Sequence, residues 1–418
     1  MRTIPEQLPI NQGKNAPRNT LNSGAADLKN RPLAVLFAAV LVDMLGFGIV
    51  LPLLPFYAES MGATPLQITV LVASFSAMQL AAAPLWGRVS DRRGRRGILI
   101  LGLFASSLSY LIFGFARSFW WLLLSRIAAG AAGGTISVAQ AYVADTTTDE
   151  DRARGMGHLG AASGLGVMLG PAVGAFFSQW GLGAAGFVAA GFCALNGIAA
   201  WFLMPESRRP AVPRPAGQAA TVASWLRSLA TYPMSVLLLV YFLTISSFNA
   251  MTSVLALFME RSFGMNQRDM GLLFTVAGGT TVVVRGLLLG KLVKRFGEPA
   301  TVRIGIVALV VALGTLPLLP SGAWAVAVVP TYAFGAGTLF PALATLVSRA
   351  SDEYSQGSML GGSQLVGGLG RVLGPLWAGY TFQSLGIATP FEIGAVIVLV
   401  SFVVAFRIPA ARTQALAR

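Results

Sequence analysis

The chain has 418 residues, 55% of them hydrophobic and only 11% charged, with a formal net charge of +14. Water-soluble domains carry roughly 25% charged residues, so the apolar surplus points to lipid as the solvent. The basic residues sit in short breaks between apolar runs, which argues against a nucleic-acid partner. A single cysteine, Cys193, and a single histidine, His158, exclude a disulfide framework and a Cys- or His-based metal site.

The first 32 residues are polar, with scattered Pro, Asn and Gly and no apolar core ahead of a small-residue cleavage site. They predict a disordered cytoplasmic tail rather than a cleaved signal. Apolar runs long enough to span a bilayer then follow at 33–57, 66–87, 97–115, 119–142, 154–179, 184–204, 233–258, 268–290, 300–319, 323–347, 355–382 and 388–407. The pattern predicts an all-α integral membrane protein with twelve transmembrane helices. Its longest break, 205–232, holds Pro205, Pro210, Pro213 and Pro215 with four arginines and reads as a cytoplasmic linker. That divides the chain into a tail (1–32), two six-helix bundles (33–204 and 233–407) and a second tail (408–418).

Orientation follows from lysine and arginine. All but six of the thirty fall in the tails and in the loops that share their side. Only Arg117, Arg261 and Arg268 lie opposite, and Arg126, Arg285 and Arg371 lie inside runs. Both termini are expected to be cytoplasmic, in a multi-pass protein of the cell (inner) membrane. An internal repeat supports the division. Gly87–Gly94 has a degraded copy in Gly290–Gly297, and Gly166-x-x-x-Gly170-Pro171 recurs as Gly370-x-x-x-Gly374-Pro375. Two parallel copies imply a pseudo-two-fold axis along the membrane normal and a central cavity between the bundles.

Asp43 is the only acid in the middle third of a predicted helix. A charge there costs about 2.5–3.5 kcal/mol on insertion scales, which makes it a functional candidate. In the fourth run, Gly130, Gly133, Ser137 and Gln140 fall within about 40° of Arg126 at 100° per residue. The small residues suit close helix packing, and Gln140 offers hydrogen bonds to a substrate. Pro171 inside the fifth run removes a backbone donor and bends the helix. Met44, Phe47, Gln140, Phe242, Phe248, Asn249, Tyr332, Phe334 and Arg371 are candidates for the cavity wall, a lining that suits an amphipathic organic molecule. Arg285 is placed to snorkel toward the cytoplasmic surface. Arg371, deeper, could pair with Glu392 or face an anionic group of the substrate. His158 reads as an interfacial structural residue. No phosphate-cradling Gly-Lys-Ser/Thr loop is present, so neither an ATP-driven pump nor an enzyme is expected.

These motifs together resemble the major facilitator superfamily, and within it the drug/proton antiporters, nearest the tetracycline/proton antiporter branch. The residues that carry the resemblance are GRVSDRRGRR at Gly87–Arg96, Arg126-x-x-x-Gly130, AYVAD ending at Asp145, and Gly166, Gly170, Pro171 and Gly174. The resemblance implies a cytoplasmic latch, with Asp91 against the start of the eleventh helix and Arg95 reaching Asp145. In it Gly87, Arg92 and Gly94 belong to the turn, and Gly87 and Gly94 permit close approach. It implies that Asp43 carries a proton with Arg126 as its counterpart, alternating between apart and together, or else permanently paired. It also implies that the Gly166–Gly174 bend seals the two bundles in an antiporter. The expected activity is proton-coupled export of small amphipathic compounds by a monomer, with the proton gradient as energy source and no cofactor or metal. A carrier for a specific metabolite, lipid or organic anion is the alternative, and a non-transporting receptor or assembly factor is the alternative of another class. The chain departs from the tetracycline branch where that branch carries further acids and a histidine. Ser109 stands in the third helix, and the eighth and ninth have neither.

Overall fold

The computed structural model describes residues 22–207, 229–350 and 356–409, all of whose regular structure is helical. In order the helices are α1 (Asn22–Val50), α2 (Leu54–Glu59), α3 (Pro65–Arg93), α4 (Arg95–Gly114), α5 (Phe119–Ala132), α6 (Ile136–Thr146), α7 (Asp149–Phe177), α8 (Leu182–Leu203), α9 (Met234–Phe263), α10 (Gln267–Val283), α11 (Leu289–Phe296), α12 (Glu298–Thr315), α13 (Ala325–Arg349), α14 (Gln356–Ser384) and α15 (Thr389–Ala405). Among the described residues ten segments are long and apolar enough to cross a membrane, with Thr389–Ala405 a shorter apolar helix. Most of the expected linker, 208–228, lies outside the described residues.

Local chemistry sets the boundaries. Thr64 and Gln67 form a capping box with Pro65 in the first turn of α3, and Asn266 and Asp269 do the same for α10. Gly94 (φ +100°) makes the α3–α4 turn and Gly264 (φ +67°) ends α9, conformations only glycine adopts freely. Several expected runs differ. The second continues through Gly87 to Arg93 as α3, so Gly87 and Arg92 are helical and Gly94 alone breaks the chain between α3 and α4. The first starts at Asn22 rather than 33 and ends at Val50, because Pro52 and Pro55 cannot continue its hydrogen bonding; α2 follows as a separate turn. The fourth is broken by a 3-10 turn at Gly133–Thr135, where two glycines weaken the helix. The eighth carries a π-turn at Val284–Leu288 that holds Arg285.

Packing sorts the helices into two groups. In the first, α1 packs on α7 and α8, α4 on α8 and α5, and α3 on α5. In the second, α9 packs on α14 and α15, α12 on α13 and α15, and α10 on α13. The strongest links between groups are α3 with α14 and α7 with α10. Outward-facing aromatics collect near the helix ends. Trp120, Trp180 and Trp324 are exposed at the end that carries Glu59, and Trp201 and Phe406 at the end that carries Arg95, the two belts expected at membrane–water interfaces.

Candidate functional site

Asp43 sits in the last third of α1, near the middle of its apolar stretch Leu33–Val50, and is partly exposed. With Met44 it lines a cavity of about 20 Å³, closed by Leu99 and Leu103 of α4 and Ile136 and Ala139 of α6. That volume holds about one water molecule. Ser106 of α4 stands within hydrogen-bond reach of the carboxyl. Arg126, on α5, is 3% exposed and forms no ion pair with Asp43. Its guanidinium lies 5.2 Å from the Phe113 ring centre and 6.0 Å from that of Tyr110. Its Nε reaches Ser125 Oγ at 3.4 Å, and one terminal nitrogen, Nη2, is buried without a partner. Tyr110 borders both charges: it is 3% exposed, and α1 approaches it so closely at Gly46 that a Cβ there would lie 2.8 Å from its ring. The sequence pointed to the two charges and missed the tyrosine, because an aromatic in an apolar run carries no signal of its own. A permanent Asp43–Arg126 ion pair is not what the structure holds.

At the Arg95 end, the arginine is the centre of a network. Its Nη1 contacts Asp91 Oδ1 at 2.5 Å and donates to Ser90 Oγ at 2.7 Å, and its Nε donates to Asp145 Oδ2 at 3.1 Å. Glu206, just beyond α8, accepts from the Arg95 backbone N–H at 2.8 Å, and Arg96 donates to the Trp201 carbonyl. Every one of these partners belongs to the first group. Asp91 is 63% exposed with Arg95 as its partner; residue 355, the start of the eleventh run that it is expected to face, lies outside the described residues. Arg92 is exposed. Gly94 matches its expected role, since a Cβ there would strike the Glu206 carboxylate at 2.4 Å, but Gly87 has open space around it and permits no close approach.

The glycines of α7 also find a different neighbour. A Cβ at Gly166 would lie 2.4 Å from the Leu41 carbonyl, at Gly170 2.6 Å from Gly48, and at Gly174 2.5 Å from the Ile49 carbonyl. This face therefore seats α1 inside the first group. The side of α7 that meets the second group is carried by Met168, Pro171 and Ala175, against Gly278 and Gly271 of α10. On α5, Gly130 abuts the Phe75 carbonyl of α3, and the Gly133 carbonyl accepts from Gln79 Nε2 at 3.3 Å. The glycine stripe is thus helix packing, and beyond the 3-10 turn Gln140 is exposed.

Of the remaining cavity candidates, Phe47 stacks on Phe75 at 5.2 Å, and Phe248 lies parallel to Tyr332 at 4.8 Å. The Tyr332 hydroxyl is bound to the Phe248 carbonyl at 2.5 Å, so Tyr332 is fixed in the packing between α9 and α13. Asn249 donates to its own helix at Ile245. Phe242 and Phe334 are partly buried. His158 is exposed and stands edge-on to Phe37 at 5.6 Å. Arg371 is half-buried near the midpoint of α14 and has no ion-pair partner among the described residues. It is not paired with Glu392, which is exposed at the start of α15.

A feature absent from the sequence reading closes the opposite end. Arg261 Nη2 of α9 bonds Glu59 Oε1 of α2 at 2.8 Å, and the Leu66 N–H of α3 donates to Gln383 Oε1 of α14 at 3.2 Å. Both contacts join the two groups. Glu59 and Arg261 lie 202 positions apart, near the ends of separate helices, and no local spacing relates them.

Ten membrane-length helices among the described residues, packed in two groups, define a multi-pass membrane protein, and likeness to known proteins makes it a transporter rather than an enzyme. The family model for the Major Facilitator Superfamily matches residues 36–375, and the chain belongs to that family. It is 29% identical over 371 residues to multidrug resistance protein 2 of Bacillus subtilis (strain 168), covering 88% of this chain and 92% of the relative. It is 31% identical over 357 residues to the class C tetracycline resistance protein of Escherichia coli, covering 83% and 88%. The crystal structure of the human organic anion transporter MFSD10 (TETRAN) aligns with TM-score 0.68 at 27% identity, covering 90% of this chain and 99% of that one.

Proposed function

We propose that the protein exports small amphipathic compounds in exchange for protons, by alternating access between two six-helix bundles of twelve membrane-crossing helices. The Arg95 end, which carries the basic loops and at which α1 begins and α15 ends, is the cytoplasmic side of a cell (inner) membrane, with both termini on that side. The carrier works as a monomer, needs no cofactor, and engages protons, the lipid bilayer and a small-molecule substrate but no nucleic acid. The observation that carries this reading is Asp43: a lone mid-span carboxyl, at a water-sized cavity, held apart from Arg126. Such a group can take a proton in one state and give it up when Arg126 approaches in the other. One proton moving inward through about 100 mV contributes about 2.3 kcal/mol from the potential alone. The identity to multidrug and tetracycline resistance proteins supports drug-like substrates.

In this reading the structure is the inward-open state. The groups meet through Glu59–Arg261 and Leu66–Gln383 on the outer side, while the Asp91 network stays within one bundle. Asp91 engages the second bundle only when the cytoplasmic side closes, which makes the turn a latch for the outward-open state. Gly94 makes that turn, Arg92 lies in the last helical turn before it, and Pro171 supports the bundle contact made by α7.

The test is uptake into proteoliposomes with an imposed proton gradient, comparing wild type with Asp43→Asn. Gradient-driven movement is expected to be lost while exchange without a gradient remains; uptake that still follows the gradient in the variant would sink the coupling. A second reading, a carrier for organic anions, is favoured by the likeness to human MFSD10 and by the unpaired Arg371.

A further inference from the structure

The membrane interior of this protein is unbalanced in charge. Arg126, Arg285 and Arg371 lie within the spans against a single mid-span acid, Asp43. None of the three arginines has an ion-pair partner among the described residues. Unpaired cations at membrane depth are costly and are kept where something anionic meets them.

The packing of α14 shows where Arg371 points. Gly368 and Gly379 meet Leu80 and Thr69 of α3, while Gly367, Gly370 and Gly374 meet Tyr241, Ile245 and Ser246 of α9. On a wheel of about 100° per residue, the α3 contacts lie about 60–80° to one side of Arg371 and the α9 contacts about 40–100° to the other. The side chain therefore bisects the wedge between α3, of the first group, and α9, of the second. Leu80 and Tyr241 flank it one turn toward the Arg95 end, and Tyr241 stands edge-on to Phe340 at 6.0 Å. Arg285 lies on the side of its helix that faces α7, about 20–40° from Gly278 and Gly271 on the same wheel. Gly271 and Gly278 of its helix meet α7, and Val284, beside it, meets Gly337 of α13. It is exposed on the π-turn, nearer the open end of the molecule.

We infer that the substrate is an amphipathic organic anion, whose acidic group is received by Arg371 between the two bundles while its apolar body lies against Leu80 and Tyr241. The site is arranged for this. A guanidinium offers paired donors to a carboxylate, sulfonate or phosphate, and its position between groups that separate and re-form makes its hold depend on the conformational state. Arg285 supplies an earlier cationic contact on the route from the open end. The inference rests on the export reading and narrows its substrate class.

The experiment uses the full chain in proteoliposomes with an imposed pH gradient and two probes, fluorescein as the aromatic anion and ethidium as the aromatic cation. Wild type is expected to move fluorescein faster than ethidium. In Arg371→Gln the fluorescein-to-ethidium rate ratio should fall by about tenfold, equivalent to about 1.4 kcal/mol, and Arg371→Lys should restore much of it. The ratio is insensitive to the fraction of folded protein, so a partly unfolded variant does not blur the outcome. Fluorescein transport equal in wild type and Arg371→Gln overturns the inference, as does a wild type that moves ethidium alone; the export reading survives both. If a folded wild type moves neither probe under the gradient, export and inference fall together.

Discussion

Arg126 is held on one side by aromatic rings and, among the described residues, by nothing of opposite charge. Its contacts with Phe113 and Tyr110 contribute about 0.5–2 kcal/mol in a desolvated setting, while burying an uncompensated ion costs several kcal/mol. The balance is unfavourable to stability, so the residue is kept for what it does. Arg126→Met, which keeps an unbranched apolar stem and removes the charged guanidinium, is expected to raise the melting temperature in detergent by a few degrees, corresponding to about 1–2 kcal/mol. The same variant should lose proton-driven transport. A variant that melts below wild type would show that the ring contacts, or an unseen partner, outweigh the desolvation. The sequence made Asp43 and Arg126 legible because charge is rare in an apolar run. What it could not supply is the partner each lacks. Tyr110 and Ser106 are ordinary residues of a membrane helix, and their role comes only from the crossing of α1, α4 and α5.

Helix order was readable because lipid imposes a minimum number of apolar residues on every crossing. Breaks inside the runs were less so. Pro52 and Pro55 end α1 early, and Gly133–Thr135 loosens the fourth run into two pieces. The glycine motif of α7 was legible as a motif, but its neighbour was not, since spacing tells which residues share a face and not what the face touches. Two glycines of that helix separate the possibilities. A Cβ at Gly170 would lie 2.6 Å from the Gly48 backbone, which cannot yield, whereas Gly160 has nothing within 4 Å. Gly170→Ala is expected to lose about 1–3 kcal/mol through overpacking against α1. Gly160→Ala should be neutral or gain up to about 1 kcal/mol in helix propensity. Thermal unfolding of the pair in one detergent checks both. Equal melting temperatures would mean that α1 and α7 are not in contact at this level.

At the scale of the whole molecule, the two ends are fastened unequally among the described residues. At the Arg95 end the ion pairs Asp91–Arg95, Arg95–Asp145 and Arg349–Glu298 each stay within one group. At the other end Arg261 reaches from the second group to Glu59 of the first, with its guanidinium 5.5 Å from the Phe382 ring centre. Glu59 and Arg261 are 30% and 38% exposed. Solvent screens such a pair to about 1 kcal/mol or less. That is small for folding yet large for a carrier whose two states differ by a few kcal/mol. Arg261→Ala should therefore leave the melting temperature within error and shift the population toward the outward-open form by up to about fivefold. Spin labels at Arg117→Cys and Ser321→Cys, on loops of the two groups at this end, report the change as growth of a longer distance in the pulsed-EPR distribution. Cys193 is buried and stays unlabelled. High salt should produce part of the same shift in wild type and none in the variant, because only the exposed pair is screened. An unchanged distance distribution in Arg261→Ala would assign the closure of this end to helix packing, above all Gly379 against Thr69 and Gly271 against Ala175.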